Sequence, residues 1–145
     1  MIEETLVTFL KTLDAVTAIV GVGDAARIRP DRLEESDSRP AIVMEVGDDE
    51  PQNCLSGTGG LVYANVSIYS TARTKAATRA LAEAIRVNGT DPGTGLAGHH
   101  GTTGGVTFDA VLHTRELDFV PATDGSQRGS FIVNSLYIVS YHETT

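Results

Sequence analysis

A strand-like alternation runs directly into a helix-like repeat between residues 61 and 88, and this junction constrains the fold more than any other stretch. In LVYANVSIYST (61–71), aliphatic side chains alternate with polar and aromatic ones, which is typical of a strand with one face in a core. The following ARTKAATRALAEAIRVN (72–88) places small apolar side chains at helical spacing. Because alanines allow close approach, we expect this helix to pack directly on a sheet.

The two faces of the predicted strand differ in character. One face is aliphatic and is expected to point into a core. The other face carries Tyr63 and Tyr69 with small polar residues between them, so it matches neither a core nor an ordinary solvated surface. Exposed aromatic surface often marks a protein interface. We therefore assign Tyr63 and Tyr69 to a candidate interface.

Three basic residues, Lys75, Arg79 and Arg86, lie on the polar side of the predicted helix. Such a stripe is typical of a solvated surface or of a contact with acidic groups on a neighbour. The acids of the chain are concentrated in residues 1–50, which hold 12 acids and 5 bases. Because a contact between copies joining these regions would be complementary in charge, the three basic residues are also candidate interface residues.

The remaining pattern predicts further helices, strands and turns. A helix is expected over 2–13, followed by a short helical turn over 15–21 that Asp14 caps and a glycine ends. Strands are predicted over 26–29, 40–46, 106–120 and 130–143, with polar turns over 47–60 and 121–129. In the strand from residue 106, one side is expected to hold Val106, Phe108, Ala110 and Leu112.

This order of elements predicts an α+β fold, a two-layer sandwich with a mostly antiparallel β-sheet and two main helices on one face. The 145 residues, 41% of them hydrophobic, suit a single domain over 1–145 with one modest core. The formal net charge of −8 is poorly suited to gripping nucleic acid over a broad surface. We expect synthesis in a cytoplasm, because Glu3 and Glu4 do not resemble a basic leader and no apolar run could span a bilayer.

A glycine-rich segment over 89–105 contains seven of the 15 glycines and the pair His99–His100. Adjacent histidines can bind zinc or nickel, but a site needs three or four convergent ligands, and Asp91 and Asp109 are not at a recognised spacing. No lysine lies in the segment, which argues against a phosphate-binding loop. We interpret the segment as a mobile polar loop and not as a metal site.

No other motif carries a reaction. The acids at 48–50 are consecutive and lack the alternating ligand positions of a calcium loop. The single Cys54 has no spaced histidine partner, and no serine lies in a nucleophile motif. We therefore expect a component of an assembly, with no cofactor and no catalytic residues, and not an enzyme.

The chain as a whole resembles the tail completion, or tail terminator, proteins of long-tailed bacteriophages and related gene-transfer particles. The resemblance is carried by the opening helix and DAVTAIVG, by RIRP and SRPAIVMEV, by VSIYSTARTKAATRALAEAIR, and by FDAVLHTRELDFVPATDGSQRGSFIVNSLYIVSYHE. The resemblance covers nearly the full length of the chain. It rests on the order of the segments and on their residue patterns, and it includes no catalytic signature.

This resemblance implies a ring, typically a hexamer, on the end of the tail tube. The ring would stop polymerisation of the tube protein and present a surface to the head-tail connector, with genomic DNA passing through the lumen without specific binding. The subunit would reside in the tail or neck of the virion. Segment 89–105, with His99 and His100, is then expected to be a contact arm that orders against a neighbour.

Three other readings remain open at this point. The chain could be a different neck component, such as a head-completion or stopper protein. It could be a small metal-dependent or ligand-binding enzyme that uses His99, His100 and Asp109. It could also be a host-derived binding module with no role in a virion.

Overall fold

A computed structural model describes residues 2–23, 26–30, 40–51, 61–88, 94–103, 105–117 and 131–143. Within these ranges there are three α-helices, α1 (Ile2–Leu10), α2 (Asp14–Val20) and α3 (Lys75–Val87). Six strands form one sheet: β1 (Ile28–Pro30), β2 (Ala41–Pro51), β3 (Leu61–Ala72), β4 (Gly101–Thr103), β5 (Val106–Leu117) and β6 (Phe131–Glu143). None of the described helices is both long and apolar enough to cross a bilayer.

The sheet has the strand order β1-β2-β3-β6-β5-β4. The long strands β2, β3, β6 and β5 pair with one another in antiparallel fashion, whereas β1 pairs with β2 in parallel. The predicted mostly antiparallel sheet is therefore confirmed. Strand β6 lies at the centre, and its pairing with β3 continues without interruption from Leu61 opposite His142 to Ala72 opposite Phe131.

The helices form the second layer on one face of this sheet. The buried cluster joins apolar residues of all three helices to one set of alternate strand residues. From the strands it includes Met44, Ala64, Val66 and Ile68, with Tyr137 among the largest buried side chains. These contacts confirm the α+β sandwich and the predicted aliphatic face of residues 61–71. The face that includes these residues is called the core face below, and the opposite face is called the outer face.

The helix boundaries follow local chemistry. Thr74 precedes α3 in an extended conformation, and its hydroxyl accepts a 3.1 Å hydrogen bond from the Ala77 amide. At the other end Asn88 adopts a left-handed conformation, with φ of 50°. Its side-chain oxygen accepts from the Ala15 amide at 3.1 Å, which ties the end of α3 to the start of α2.

The first helical region differs from the prediction in two details. Helix α1 ends at Leu10, before the predicted limit at residue 13, and Leu13 nevertheless lies buried in the turn that follows. Asp14 was predicted to cap α2, but Leu13 occupies the cap position and makes no side-chain cap hydrogen bond. Gly21 ends α2 with φ of 100°, as the glycine pattern predicted.

Two predicted loop regions contain strand. Strand β2 continues through residues 47–51, which were predicted as the start of a polar turn, and a register shift lies between Val46 and Asp49. Strand β4 lies inside the segment predicted as a loop over 89–105 and pairs with β5. Both cases show cross-strand pairing overriding a polar or glycine-rich composition. The predicted loop over 121–129 lies outside the described residues.

Candidate assembly surfaces

The outer face of the sheet carries the two tyrosines that the sequence analysis assigned to an interface. Tyr63 and Tyr69 both lie on β3 opposite outer-face residues of β6, Ser140 and Asn134 respectively. The Tyr63 side chain is 39% exposed, whereas Tyr69 is half-buried. Burial, reinforced by the nearby Glu45 carboxylate, raises the pKa of the Tyr69 phenol, so this hydroxyl stays protonated at neutral pH. The face thus offers aromatic area together with neutral hydrogen-bonding groups.

The same face includes an exposed leucine, Leu112 of β5. Leu112 was predicted to share one side with Val106 and Phe108, but it is 59% exposed and pairs with Ile138 of the outer face. The reason is a register shift between Phe108 and Ala110, which inserts Asp109 and reverses the faces of the residues that follow. Val111, not Leu112, is buried in the core.

Around Leu112 the outer face is of mixed polarity. Ile138 and Leu136 of β6 are half-buried, and Asn65 of β3 is exposed. Val43 and Ile132 are buried apolar residues of this face that lie outside the main core cluster. An apolar centre with polar neighbours is the usual composition of a protein contact surface.

The basic stripe of α3 is divided by its surroundings. Lys75 and Arg79 are exposed, and the Lys75 ammonium lies 5.7 Å from the centroid of the Phe131 ring. Arg86 is half-buried, and its charge adds a small part to the lowering of the His113 pKa, which is mainly caused by burial. Lys75 and Arg79 are thus exposed and Arg86 is less so, and a role of these residues in an interface stays a prediction.

The adjacent histidines point to different environments. His99 stacks on Phe9 of α1, with ring centroids 4.0 Å apart, and its ring is tilted against Phe108 of β5 at 5.2 Å. Burial lowers the pKa of the His99 imidazole, and the neighbouring His100 lowers it further. His100 is exposed, with its Nδ1 3.4 Å from the Gly98 carbonyl oxygen. His99 thus packs between two aromatic rings, and only His100 has an exposed side chain.

The glycine-rich segment is docked on its own chain from residue 94 onward. Leu96 is fully buried, and its amide donates to the Ile85 carbonyl at 2.8 Å. The amide of Ala97 donates to the Arg86 carbonyl at 3.2 Å, so these two bonds satisfy carbonyls in the last turn of α3. The prediction of a mobile loop is therefore wrong for residues 94–103. Residues 89–93 and 104 lie outside the described part of the chain.

Gly95 explains part of the glycine content of this segment. A Cβ atom at position 95 would lie 2.3 Å from the Arg86 carbonyl oxygen, closer than nonbonded atoms approach. The backbone of the segment can reach the end of α3 only because this side chain is absent. The composition that suggested mobility here serves close packing.

The described residues do not assemble the metal site considered from the sequence. Asp109 Oδ2 lies 2.9 Å from Nδ1 of His142, while His99 is held between its aromatic neighbours. No group of three or more His, Cys, Asp or Glu side chains suited to a metal ion occurs in the part of the chain described here. Asp91, the other potential helper, lies outside that part.

A polar cluster that the sequence analysis missed lies on the core face near the end of β5. The Ser135 hydroxyl donates to Glu116 Oε1 at 3.1 Å, and His113 Nε2 is 3.9 Å from the same oxygen. The His113 ring is tilted against the Tyr137 ring at 5.1 Å. Burial raises the pKa of Tyr137 strongly and lowers the pKa of His113. Only the cross-strand register brings these groups together, so sequence spacing could not reveal them.

Comparisons with known proteins agree with the fold. A solved structure described as the virion of a native gene transfer agent (GTA) particle contains a chain with a TM-score of 0.63 to this one. The match covers 97% of this chain and 93% of that chain at 11% sequence identity, so it establishes a shared fold. A search of curated proteins gave no significant match.

The two-layer α+β sandwich thus matches the fold of a chain from a virion particle. The sequence model of the family described as Tail completion protein gp17 matches residues 4–100, about two thirds of the chain. The chain belongs to this tail completion family, and the resemblance recognised in the sequence is confirmed.

Proposed function

We propose that the protein is a tail terminator subunit that forms a ring, with six subunits, on the end of the tail tube. The ring stops polymerisation of the tube protein and joins the tail to the head-tail connector or stopper. The observation that carries this proposal is membership of the tail completion family, matched over residues 4–100. The fold shared with a chain of a gene transfer agent virion supports it.

The outer face supplies a surface suited to assembly. Tyr63, Tyr69 and Leu112 place aromatic and aliphatic area on one face of the sheet, in the arrangement expected of a contact with another protein. Ring subunits use two different surfaces to contact their two neighbours, so a second surface is required as well. Lys75 and Arg79 on α3 and His100 on the docked segment are further candidates for contacts with the tube or the connector.

The charge of the chain fits passage of DNA through the ring. A formal net charge of −8 repels phosphate, and this repulsion would keep double-stranded DNA from binding to the lumen. In this proposal the protein contacts DNA only in passing and reads no sequence. The subunit is made in the host cytoplasm, as one domain over residues 1–145, and ends in the tail or neck of the virion.

Removal of the gene from the parent phage tests this function. Without the protein, tail tubes should reach uncontrolled lengths and remain unjoined to heads, as seen by negative-stain electron microscopy. Supplying the wild-type protein in trans should restore uniform joined tails. Tails of normal length and normal joining in its absence would refute the proposal.

The same experiment separates the terminator from a stopper or head-completion protein. A stopper should copurify with the portal side of heads, and its loss should leave tails of normal length. A terminator should copurify with tails. The family name and the match over residues 4–100 favour the tail side.

A contact role of segment 89–105 needs a finer test than removal of residues 91–103. Leu96 is fully buried, so such a deletion would damage the fold and give an ambiguous loss of assembly. Substitution of the exposed His100 by alanine tests a contact without touching the core. If particles with His100→Ala assemble as well as wild type, His100 has no role in a contact.

A further inference from the structure

The two edges of the sheet each carry a short strand, at opposite ends. Strand β1 covers β2 only from Ile42 to Met44, and β4 covers β5 only from Val106 to Phe108. Beyond β4, the Gly98 amide donates to the Val111 carbonyl at 2.8 Å. Within the described residues, 45–51 of β2 and 112–117 of β5 therefore pair with a strand on one side only. On each edge the short strand therefore covers one part of the long strand and leaves the rest open, and this change forms a step. The open part of β2 and the open part of β5 lie at opposite ends of the sheet.

One row of laterally paired residues on the outer face has an acid on the edge at β2 and a base on the edge at β5. The register places Glu45 opposite Ser67, Ser67 opposite Leu136, and Leu136 opposite Arg115. Glu45 and Arg115 are both exposed, and neither forms an ion pair or side-chain hydrogen bond with the described chain. Three strand spacings of about 4.8 Å separate them, roughly 14 Å, so they cannot pair within one subunit.

We propose that neighbouring subunits of the ring meet edge to edge, with the open edge of β5 in one copy against the β1–β2 edge of the next. This inference rests on the ring function proposed above and names the contact that builds it. In this arrangement Arg115 of one copy forms an ion pair with Glu45 of the next. Because β1 ends at Pro30, in register with Met44, no described strand comes between these two charges.

Strand direction agrees with this contact. Strands β2 and β5 run in opposite directions, since each pairing from β2 through β3 and β6 to β5 is antiparallel. Strand β1 runs parallel to β2, so in two copies of the same orientation it approaches β5 of its neighbour in antiparallel fashion. The protruding β1 of one copy then lies beside Glu116 and Leu117 of the other, in the rows of Met44 and Val43, and leaves Arg115 uncovered.

The occupant of these edges is a second copy of the chain because the two edges complement each other. The β1–β2 edge has the protruding strand β1 and the carboxylate of Glu45. The β5 edge has an open strand segment that β1 can pair with, and the guanidinium of Arg115. A contact that uses two different surfaces of the same subunit repeats from copy to copy and forms a ring when the rotation between copies closes. Charged residues at open strand ends also discourage pairing in any other register.

Reciprocal charge reversal tests the pair. Glu45→Arg and Arg115→Glu should each lower the yield of joined particles about tenfold or more in a complementation assay, because like charges then face each other. The double variant should recover to within about threefold of wild type. Arg73→Glu and Glu83→Arg change exposed charges next to and on α3, which packs on the central strands β3 and β6, and should alter the yield less than about twofold. Circular dichroism and thermal melting of each purified variant establish that it is folded.

A cysteine cross-link tests the geometry independently of the energetics. Because β1 keeps β2 of one copy about two strand spacings, roughly 10 Å, from β5 of the next, the link needs a short reducible bis-methanethiosulfonate reagent. A chain carrying Glu45→Cys, Arg115→Cys and Cys54→Ser should, in purified tails treated with this reagent, give a ladder of multimers on a non-reducing gel. Each chain with only one of the two edge cysteines should migrate as a monomer, and reduction should collapse the ladder.

The outcomes distinguish this contact from the ring function itself. If the wild-type chain is missing from tails, the proposed function fails and this inference fails with it. If the chain is present but reversals have no effect and no ladder forms, the edge contact is wrong while the tail function stands. A cross-link to a different virion protein instead of to a second copy would also overturn the inference.

Discussion

The imidazole ring of His99 lies against the phenyl ring of Phe9, with centroids 4.0 Å apart and an interplanar angle of 29°. This contact fastens the docked glycine-rich segment to α1, while Leu96 and the backbone of residues 96–98 fasten it to α3 and β5. The segment therefore joins three elements that are distant in sequence. Its contribution to stability can be measured separately from any role in assembly.

The free energy of unfolding should depend on pH through His99. Because burial lowers the pKa of His99 in the folded state, the unfolded chain takes up a proton at a higher pH than the folded chain does. The contribution of His99 to the free energy of unfolding is fully present above the unfolded-state pKa of about 6.5. It decreases as the pH falls below that value. Urea denaturation at pH 7.5 and pH 5 should show a smaller acid loss for His99→Phe than for wild type.

His100→Phe is the matched control for this pH effect, because His100 is exposed and adjacent. Its acid loss should be only slightly smaller than that of wild type, because burial is the main cause of the lowered His99 pKa and the charge of His100 is the lesser one. His113, whose pKa burial also lowers, leaves a residual acid sensitivity in every variant. An unchanged pH profile in His99→Phe would show that protonation of His99 is not coupled to folding.

Gly95→Ala should destabilise the fold by about 1–3 kcal/mol, because the added Cβ would overlap the Arg86 carbonyl oxygen and force the segment away from α3. Chemical denaturation measures the loss. Gly105→Ala is the control, since a Cβ there has no atom within 4 Å, and its change should stay within about 0.5 kcal/mol. Equal stabilities of the two variants would contradict the docking.

Leu112→Ser should leave the stability within about 0.5 kcal/mol of wild type, because the side chain is largely exposed, yet it should reduce the yield of joined particles. Thermal melting and a complementation assay measure the two effects. Val22→Ser, another exposed apolar residue but in the turn after α2, should leave both unchanged. Normal assembly of the Leu112 variant would remove this part of the outer face from the contact surface.

Thr74→Ala should cost about 1 kcal/mol, since the hydroxyl that accepts from the Ala77 amide is lost at the start of α3. Thr74→Ser retains the oxygen and should recover most of the loss. Comparison of the two by urea denaturation separates the cap from the methyl group. A loss of equal size in both variants would show that the hydroxyl does not cap α3.

The sequence predicted the fold best in segments where a single hydrophobic periodicity, either strand-like or helical, is present. Residues 61–71 alternate strictly, and residues 75–87 repeat at helical spacing, so β3 and α3 were recognised with nearly correct ends. The prediction failed at Leu112 because a register shift at Asp109 reverses the strand without breaking its apolar pattern. Only pairing with β6 reveals this reversal.

Only part of the candidate surfaces could be predicted, because local alternation reveals the faces of a strand but not the contacts between segments. Tyr63 and Tyr69 followed from alternation along one strand, and the structure places them on the outer face as predicted; whether they form an interface remains a prediction. Docking of Leu96 against the end of α3 depends on contacts between distant segments, which composition cannot show. A glycine-rich stretch has the same local signature whether it is mobile or closely packed.

The position of β6 bears on when the protein can assemble. It is the last strand of the sheet in sequence order, yet it separates β3 from β5 and pairs with both. Residues 131–143 must therefore be synthesised before β3 and β5 can be joined in one sheet. In the proposed terminator role, a nascent chain without β6 would lack the strand that joins the two edges, so it could not present both edges to its neighbours in a ring.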